Sequence, residues 1–121
     1  MELKVLPQDL TVCKVADLSG ADLNGAFFFL ARTGEELSLV CPTQSVPRNA
    51  TDRDDGWRGF RIQGILDFSL IGILAKLSGV LAAGGIGIFA VSTFNTDYIL
   101  VKAENLDRAL SLLRESGYAV V

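Results

Sequence analysis

Residues 59–74, GFRIQGILDFSLIGIL, decide the fold. At the start of this stretch apolar side chains alternate with Arg61 and Gln63, which predicts a strand over Gly59–Leu66. Asp67-Phe68-Ser69 then supplies cap-type residues, and the apolar spacing changes to three and four, so a helix is predicted to begin near Ser69. The inner face of that helix comprises Leu70, Ile73, Leu74, Leu77 and Leu81.

The remainder of the C-terminal half alternates strands and helices. Gly84-Gly85 stops the first helix, and Asn105 can cap a second helix that ends at Gly117. The predicted strands are Gly87–Phe94, Asp97–Lys102 after a turn at Asn95-Thr96, and Tyr118–Val121. The order is βαββαβ, which predicts an α+β, ferredoxin-like fold with two helices on one face of a four-stranded antiparallel sheet.

The N-terminal half is rich in strands. Leu3–Leu6 and Leu10–Val15 are strand-like, and a hairpin turn at Thr33–Glu36 is predicted between Ala26–Ala31 and Leu37–Cys41. Three consecutive phenylalanines, Phe27–Phe29, imply a strand that is buried on both faces or covered by a partner.

A polar stretch, Pro47–Gly56, separates the two halves. It combines a proline, a glycine and charges of both signs, which is typical of a loop. We therefore predict two units, residues 1–56 and residues 57–121.

Composition excludes several classes of function. The 121 residues carry a net charge of −3 with scattered cations, so nucleic-acid binding is not expected. No histidine is present, so catalysis is not predicted. Asp52–Gly56 resembles the start of a calcium loop but has Gln63 where the bidentate glutamate belongs, so no metal or cofactor is predicted. Cys13 and Cys41 are expected to be buried free thiols rather than a disulfide.

No membrane segment is expected. The apolar stretch Ile71–Val91 contains Lys76 and is broken by Gly84-Gly85, which indicates helix, turn and strand rather than a bilayer helix. The N-terminus, Met1–Lys4, shows no signal-peptide pattern. We therefore expect a cytoplasmic protein.

The turn at Asp67–Gly72 is the main candidate binding site. The backbone amides at a helix start attract anions such as a carboxylate, while Asp67 could accept hydrogen bonds from an ammonium group and Ser69 offers a hydroxyl. One small site could then hold both charged ends of an amino acid. Helix caps are common, however, and the residues alone favour the simpler role of Asp67 or Ser69 as a cap. Likewise, Ser92–Tyr98 alone indicates only a hairpin turn.

Three stretches together resemble the ACT-domain proteins: Trp57–Phe60, Asp67–Leu74 and Gly85–Val101. The resemblance is to small bacterial tandem-ACT proteins related to aspartate kinase regulatory domains and to cytosolic arginine sensors. It implies an ACT domain at residues 57–121, a second, reduced ACT-like unit at residues 1–56, and an amino acid bound at the strand-to-helix turn of a homo-oligomer. The residues implied are Asp67, Phe68, Ser69, Leu70, Ile71 and Gly72 in that turn and Ser92, Thr93, Phe94, Asn95, Thr96 and Asp97 in the facing loop.

With the resemblance, the favoured interpretation of Asp67–Gly72 becomes a binding turn. The chain is then a non-catalytic regulatory module that signals through a partner protein, unless it is vestigial. The alternative is a protein–protein interaction or dimerisation module without a small ligand, because a small open sheet has exposed edges. An enzyme is the least favoured class, since no organised acid–base pair is present.

Overall fold

The computed structural model describes residues 1–67 and 70–121. Phe68 and Ser69, two of the predicted binding residues, lie outside the described residues. The chain divides into two compact units, one of Gln8–Trp57 and one of Met1–Pro7 together with Arg58–Val121. The second unit is therefore discontinuous in sequence, whereas the predicted domains, 1–56 and 57–121, are contiguous. That these domains are two ACT units remains a prediction.

The described residues form eight strands and two α-helices. The helices are α1 (Ile73–Ala83) and α2 (Leu106–Glu115), and short 3-10 turns occupy Thr43–Ser45 and Ala103–Asn105. The strands are β1 (Glu2–Val5), β2 (Leu10–Val15), β3 (Phe29–Arg32), β4 (Leu37–Pro42), β5 (Ala50–Ile62), β6 (Phe89–Ser92), β7 (Asp97–Lys102) and β8 (Ala119–Val120).

The unit Gln8–Trp57 is an antiparallel sheet in the order β3, β4, β2 and the first part of β5. The predicted hairpin turn is confirmed, because the Thr33 amide donates to the Glu36 carbonyl at 3.0 Å. A small core of Cys13, Val15, Leu37, Leu39 and Cys41 lies on one face. Both cysteines are free and buried, as expected.

The phenylalanine run is not a strand buried on both faces. Only Phe29 belongs to β3, and all three side chains, Phe27–Phe29, are partly exposed. Phe28 packs against the small core, and the rings of Phe27 and Phe29 meet edge to face with centroids 5.1 Å apart. Phe27–Phe29 cover one side of the sheet, so this run of apolar residues does not mark a central strand.

The loop predicted at Pro47–Gly56 is wrong, because β5 begins at Ala50. The side chains of residues 51–56 are all exposed, so their polar composition resembles that of a loop. Their backbone nevertheless pairs with β2, where Val12 lies opposite Asp54 and Lys14 lies opposite Asp52. The buried Thr11 hydroxyl also donates to Asp55 Oδ1 at 2.9 Å.

In the unit that contains Arg58–Val121, the order β5, α1, β6, β7, α2, β8 confirms the predicted βαββαβ succession. The sheet differs from the prediction, because β1 lies between β5 and β8 and makes a fifth strand. It pairs antiparallel with β5 and parallel with β8, so the sheet is mixed. Leu3, which is fully buried, explains this placement, since β1 contributes an apolar side chain to the core.

The inner faces of both helices pack on this sheet. Leu77 and Leu81 of α1 are fully buried, as the spacing predicts. The same core contains Phe60, Ile62, Ile99, Val101, Leu106, Ala109, Leu110 and Leu113. Asn105 precedes α2, but its side chain makes no capping hydrogen bond. No helix in the described part of the chain is long and apolar enough to cross a membrane.

Helix α1 begins four residues later than predicted, at Ile73 rather than near Ser69. The cause is Gly72, whose φ of +80° lies in the left-handed region and cannot continue a right-handed helix. Leu70 therefore precedes the helix and is 52% exposed instead of contributing to the inner face.

Candidate functional site

A cleft of about 320 Å³ lies between the segment that enters α1 and the turn joining β6 to β7. We call it the first cleft. Its lining contains the predicted residues of both segments except Ile71 and the two residues outside the described part. It is lined by Leu66, Asp67, Leu70, Gly72, Ile73, Leu74 and Ala75 on one side and by Ser92, Thr93, Phe94, Asn95, Thr96 and Asp97 on the other.

The entering segment is held against the β6–β7 turn by backbone hydrogen bonds. The Leu66 amide donates to the Asn95 carbonyl at 2.7 Å, and the Leu70 amide donates to the Asp67 carbonyl at 3.0 Å. The first of these bonds joins the two segments, which are far apart in sequence, and the second lies within the entering segment.

The β6–β7 turn is held by hydrogen bonds of its two threonines, Thr93 and Thr96. The Thr93 amide donates to the Thr96 carbonyl at 2.8 Å, and the Thr93 hydroxyl donates to the same oxygen at 3.0 Å. Thr96, only 4% exposed, donates its hydroxyl to the Ile62 carbonyl at 2.8 Å and so ties the turn to β5. The prediction of a hairpin turn is therefore correct, and the same residues also form one wall of the first cleft.

The other wall contains the start of α1. The first helical hydrogen bond runs from the Lys76 amide to the Gly72 carbonyl at 2.8 Å. The amides of residues 73–75 precede that bond and have no acceptor within the helix. The N-cap position is occupied by Gly72, which has no side chain that could cap this end. The positive end of the helix dipole is thus directed at the first cleft.

The first cleft combines groups that attract opposite charges. Helix-start amides favour an anion, while Asp67, which is exposed, and Asp97, which is partly exposed, carry carboxylates. Asp97 accepts a hydrogen bond from the Ser92 hydroxyl at 2.6 Å, which orients its carboxylate. Leu66, Ile73 and Leu74 add apolar side chains to the lining of the same cleft. A small zwitterion with an apolar body matches this arrangement.

Ile71 is a predicted binding residue that the structure places elsewhere. Its side chain is 96% exposed and lines a different cavity, together with Lys76 and Tyr118. Conversely, Leu66, Ile73, Leu74 and Ala75 line the first cleft but were not predicted. Gly72 was the sequence signal that could have identified these additional lining residues, because a positive φ at this position moves the helix start to Ile73.

Replacing Gly72 with alanine should destabilise the protein by about 1–2 kcal/mol, because a Cβ is strained in the left-handed region. An added Cβ would meet nothing within 4 Å, so the loss is backbone strain alone. Gly79→Ala is the matched control, since it lies inside α1 and its Cβ also meets nothing within 4 Å. That variant should gain about 0.5–1 kcal/mol. Urea unfolding measures both; equal effects would contradict the assigned backbone at Gly72.

Comparison with known proteins now identifies the family. The model of the ACT domain matches residues 52–115, more than half of the chain. The chain belongs to the ACT domain family. Cytosolic arginine sensor for mTORC1 subunit 1 from Bos taurus is 39% identical over 96 residues, covering 74% of this chain and 29% of that relative. The chain thus spans less than a third of the length of this curated relative.

Solved structures share the ACT fold. A crystal structure of a protein from Agobacterium tumefaciens is 34% identical, with a TM-score of 0.87 over 99% of this chain and 91% of that one. The ligand-free regulatory subunit of aspartate kinase from Thermus thermophilus has a TM-score of 0.67 at 10% identity, over 95% of this chain and 96% of that one. The predicted α+β, ACT-like fold is confirmed, and the family supports a ligand-binding regulatory role.

Proposed function

We propose that this chain is a non-catalytic regulatory module that binds an amino acid in the first cleft and signals through a partner protein. The observation that carries the proposal is the meeting of the α1 start with the β6–β7 turn, which places the helix start and the carboxylates of Asp67 and Asp97 in one cleft. The proposed binding residues are those predicted from sequence, Asp67–Gly72 and Ser92–Asp97, with Ile73, Leu74 and Ala75 added.

In this proposal the carboxylate of the ligand accepts hydrogen bonds from the amides of residues 73–75. Its ammonium group donates to the carboxylate of Asp67 or Asp97, both of which line the first cleft. The ligand side chain lies on Leu66 and Leu74. A volume of about 320 Å³ is adequate for this, because small-molecule sites begin at about 300 Å³.

Separate observations support the proposal that this chain is not a catalyst. The chain has no histidine, so the commonest general base is missing. Among residues 1–67 and 70–121, no three histidine, cysteine or acidic residues cluster as metal ligands would. We also propose a cytoplasmic location, supported by the relative named as a cytosolic sensor.

A thermal-unfolding screen of the twenty amino acids tests the proposal. A ligand at ten times its Kd should stabilise the protein by about 1.4 kcal/mol, which raises Tm by roughly 5 °C. Asp67→Ala should abolish that rise, because it removes a partner of the ligand ammonium group.

Asp52→Ala is the matched control, since Asp52 is also exposed but lies on β5 in the unit Gln8–Trp57. It should keep the full ligand-induced rise in Tm. The proposal fails if no amino acid raises Tm, or if both variants respond like the parent protein.

A second candidate function is a protein–protein interaction module without a small ligand. The observation that favours it is a set of large apolar side chains exposed on the segment that enters α1 and on the β6–β7 turn. Their exposed fractions are 77% for Ile65, 52% for Leu70, 96% for Ile71 and 78% for Phe94. Exposed apolar surface of this kind marks interaction sites. Oligomeric state measured during the same screen discriminates the two, because this candidate expects association that is independent of amino acids.

A further inference from the structure

A second cavity of about 260 Å³ lies on the side of the α1 start that faces the end of α2. It shares Gly72 and Ile73 with the first cleft but is otherwise built from different residues. Its lining is Met1, Ile71, Gly72, Ile73, Lys76, Ser116, Gly117 and Tyr118. Neither the amino-acid proposal nor the sequence pattern accounts for this cavity.

Tyr118 is the central side chain of the second cavity. It is only 8% exposed, and its amide donates to the Leu113 carbonyl at 3.0 Å, which fixes the residue at the end of α2. Its hydroxyl takes part in none of the hydrogen bonds found among the described residues. Its oxygen is not one of the buried unpartnered polar atoms of the described residues, so it remains accessible at the surface of the cavity. An oxygen acceptor from a ligand would satisfy this hydroxyl.

Lys76 supplies a positive charge to the second cavity. Its Nζ lies 5.9 Å from the centroid of the Tyr118 ring, so the ammonium group and the phenol are neighbours. Among the lining residues in the described part, Lys76 carries the one charged side chain, and none carries a carboxylate. Ser116 adds a second hydroxyl. Burial raises the pKa of Tyr118, so its hydroxyl stays protonated at neutral pH and can donate.

The remaining wall is apolar and comprises Met1, Ile71, Ile73 and the Tyr118 ring. An amino acid fits this cavity poorly, because no lining side chain in the described part carries a carboxylate to pair with its ammonium group. A carboxylate that carries an apolar body and no amino group matches both the charge and the wall.

We propose that the second cavity binds a small organic monocarboxylate, with its carboxylate on Lys76 Nζ and the Tyr118 hydroxyl and its apolar body against Ile71 and Ile73. This site is separate from the first cleft in ligand chemistry. The shared Gly72 and Ile73 place both ligands beside one helix start, where occupancy of one site can alter the other.

Titration of the full 15N-labelled chain with phenylacetate tests the proposal by NMR. We expect saturable shifts of the Ile73, Gly117 and Tyr118 amides. Lys76→Met should raise the Kd at least tenfold and Tyr118→Phe about tenfold, because each removes a hydrogen bond to a charged group. The neutral analogue 2-phenylethanol should bind at least tenfold more weakly than phenylacetate.

Lys14→Met is the matched control, since Lys14 is an exposed lysine on β2 in the other unit. It should leave the Kd unchanged. The proposal is overturned if phenylacetate causes no saturable shift up to its solubility limit, if Lys76→Met or 2-phenylethanol binds as tightly as the reference, or if the shifts fall at Thr93 and Asn95 instead. The amino-acid screen and this titration can fail independently, because Asp67→Ala leaves the second cavity intact.

Discussion

Replacing Phe60 with alanine is expected to lower the free energy of unfolding by about 3–5 kcal/mol. Phe60 is fully buried and packs in the core between the sheet and the two helices of the ACT domain. Truncation would remove apolar contacts and leave a cavity that the surrounding leucines cannot fill completely. Because domains of this size are stable by only about 5–15 kcal/mol, the loss is a large fraction of the total. Urea unfolding followed by circular dichroism measures it.

Phe94→Ala is the matched control for this prediction. It makes the same chemical change at a side chain that is 78% exposed, in the β6–β7 turn. Because most of that ring is already in contact with water, the loss should be under about 1 kcal/mol. Similar losses for both variants would show that Phe60 is not a core residue.

Labelling of Cys13 and Cys41 by a thiol reagent should be at least about 100-fold slower in the folded protein than in denaturant, because the thiolate is the reactive form. Burial raises the pKa of Cys41 to about 11, with a further contribution from Cys13. Burial also raises the pKa of Cys13, an effect that its hydrogen bond to Cys41 partly offsets. Both side chains are under one-twentieth exposed, at 4% and 3%, which adds a barrier to access.

The same pKa shifts predict a pH dependence of stability. A thiol whose pKa is raised by folding stabilises the folded state below its ordinary pKa, and this stabilisation is lost as the pH rises through the raised value. Stability should therefore fall between about pH 9 and about pH 11, because unfolding releases thiols that can then ionise. Cys41→Ala should show a flatter profile in urea unfolding. A parent profile as flat as that of the variant, or fast labelling of the folded protein, would contradict the burial of these thiols.

Regular patterns in the sequence predicted much of the fold. The spacing of Leu77 and Leu81 identified the inner face of α1, and the Thr33–Glu36 turn was found from its residues. Pairings between distant segments could not be predicted in this way. The first part of β5 was interpreted as a loop because its side chains face water, while its backbone pairs with β2. The position of β1 in the sheet depends on its pairing with β8, which lies near the other end of this sequence.

The candidate site was predicted in outline, and the resemblance to ACT proteins decided which turn mattered. Asp67 and Asn95 do line one cleft, because a backbone hydrogen bond from Leu66 to Asn95 joins their segments. The pattern could not show that Gly72 adopts a positive φ, since glycine occurs in both helices and turns. That single dihedral angle moves the helix start to Ile73, and Ile71, which precedes it, lines the second cavity.

The position of β1 has a consequence for protein synthesis. β1 is synthesised before both of its neighbours, and β8 is the later of the two, so the ACT sheet stays incomplete until β8 has been made. The residues Gln8–Trp57 are contiguous and have all their strand partners much earlier. Closing so long a loop is slow compared with local pairing. The nascent chain therefore exposes Leu3 and its neighbours until β8 has been made, the stage at which a chaperone would most affect the yield of folded protein.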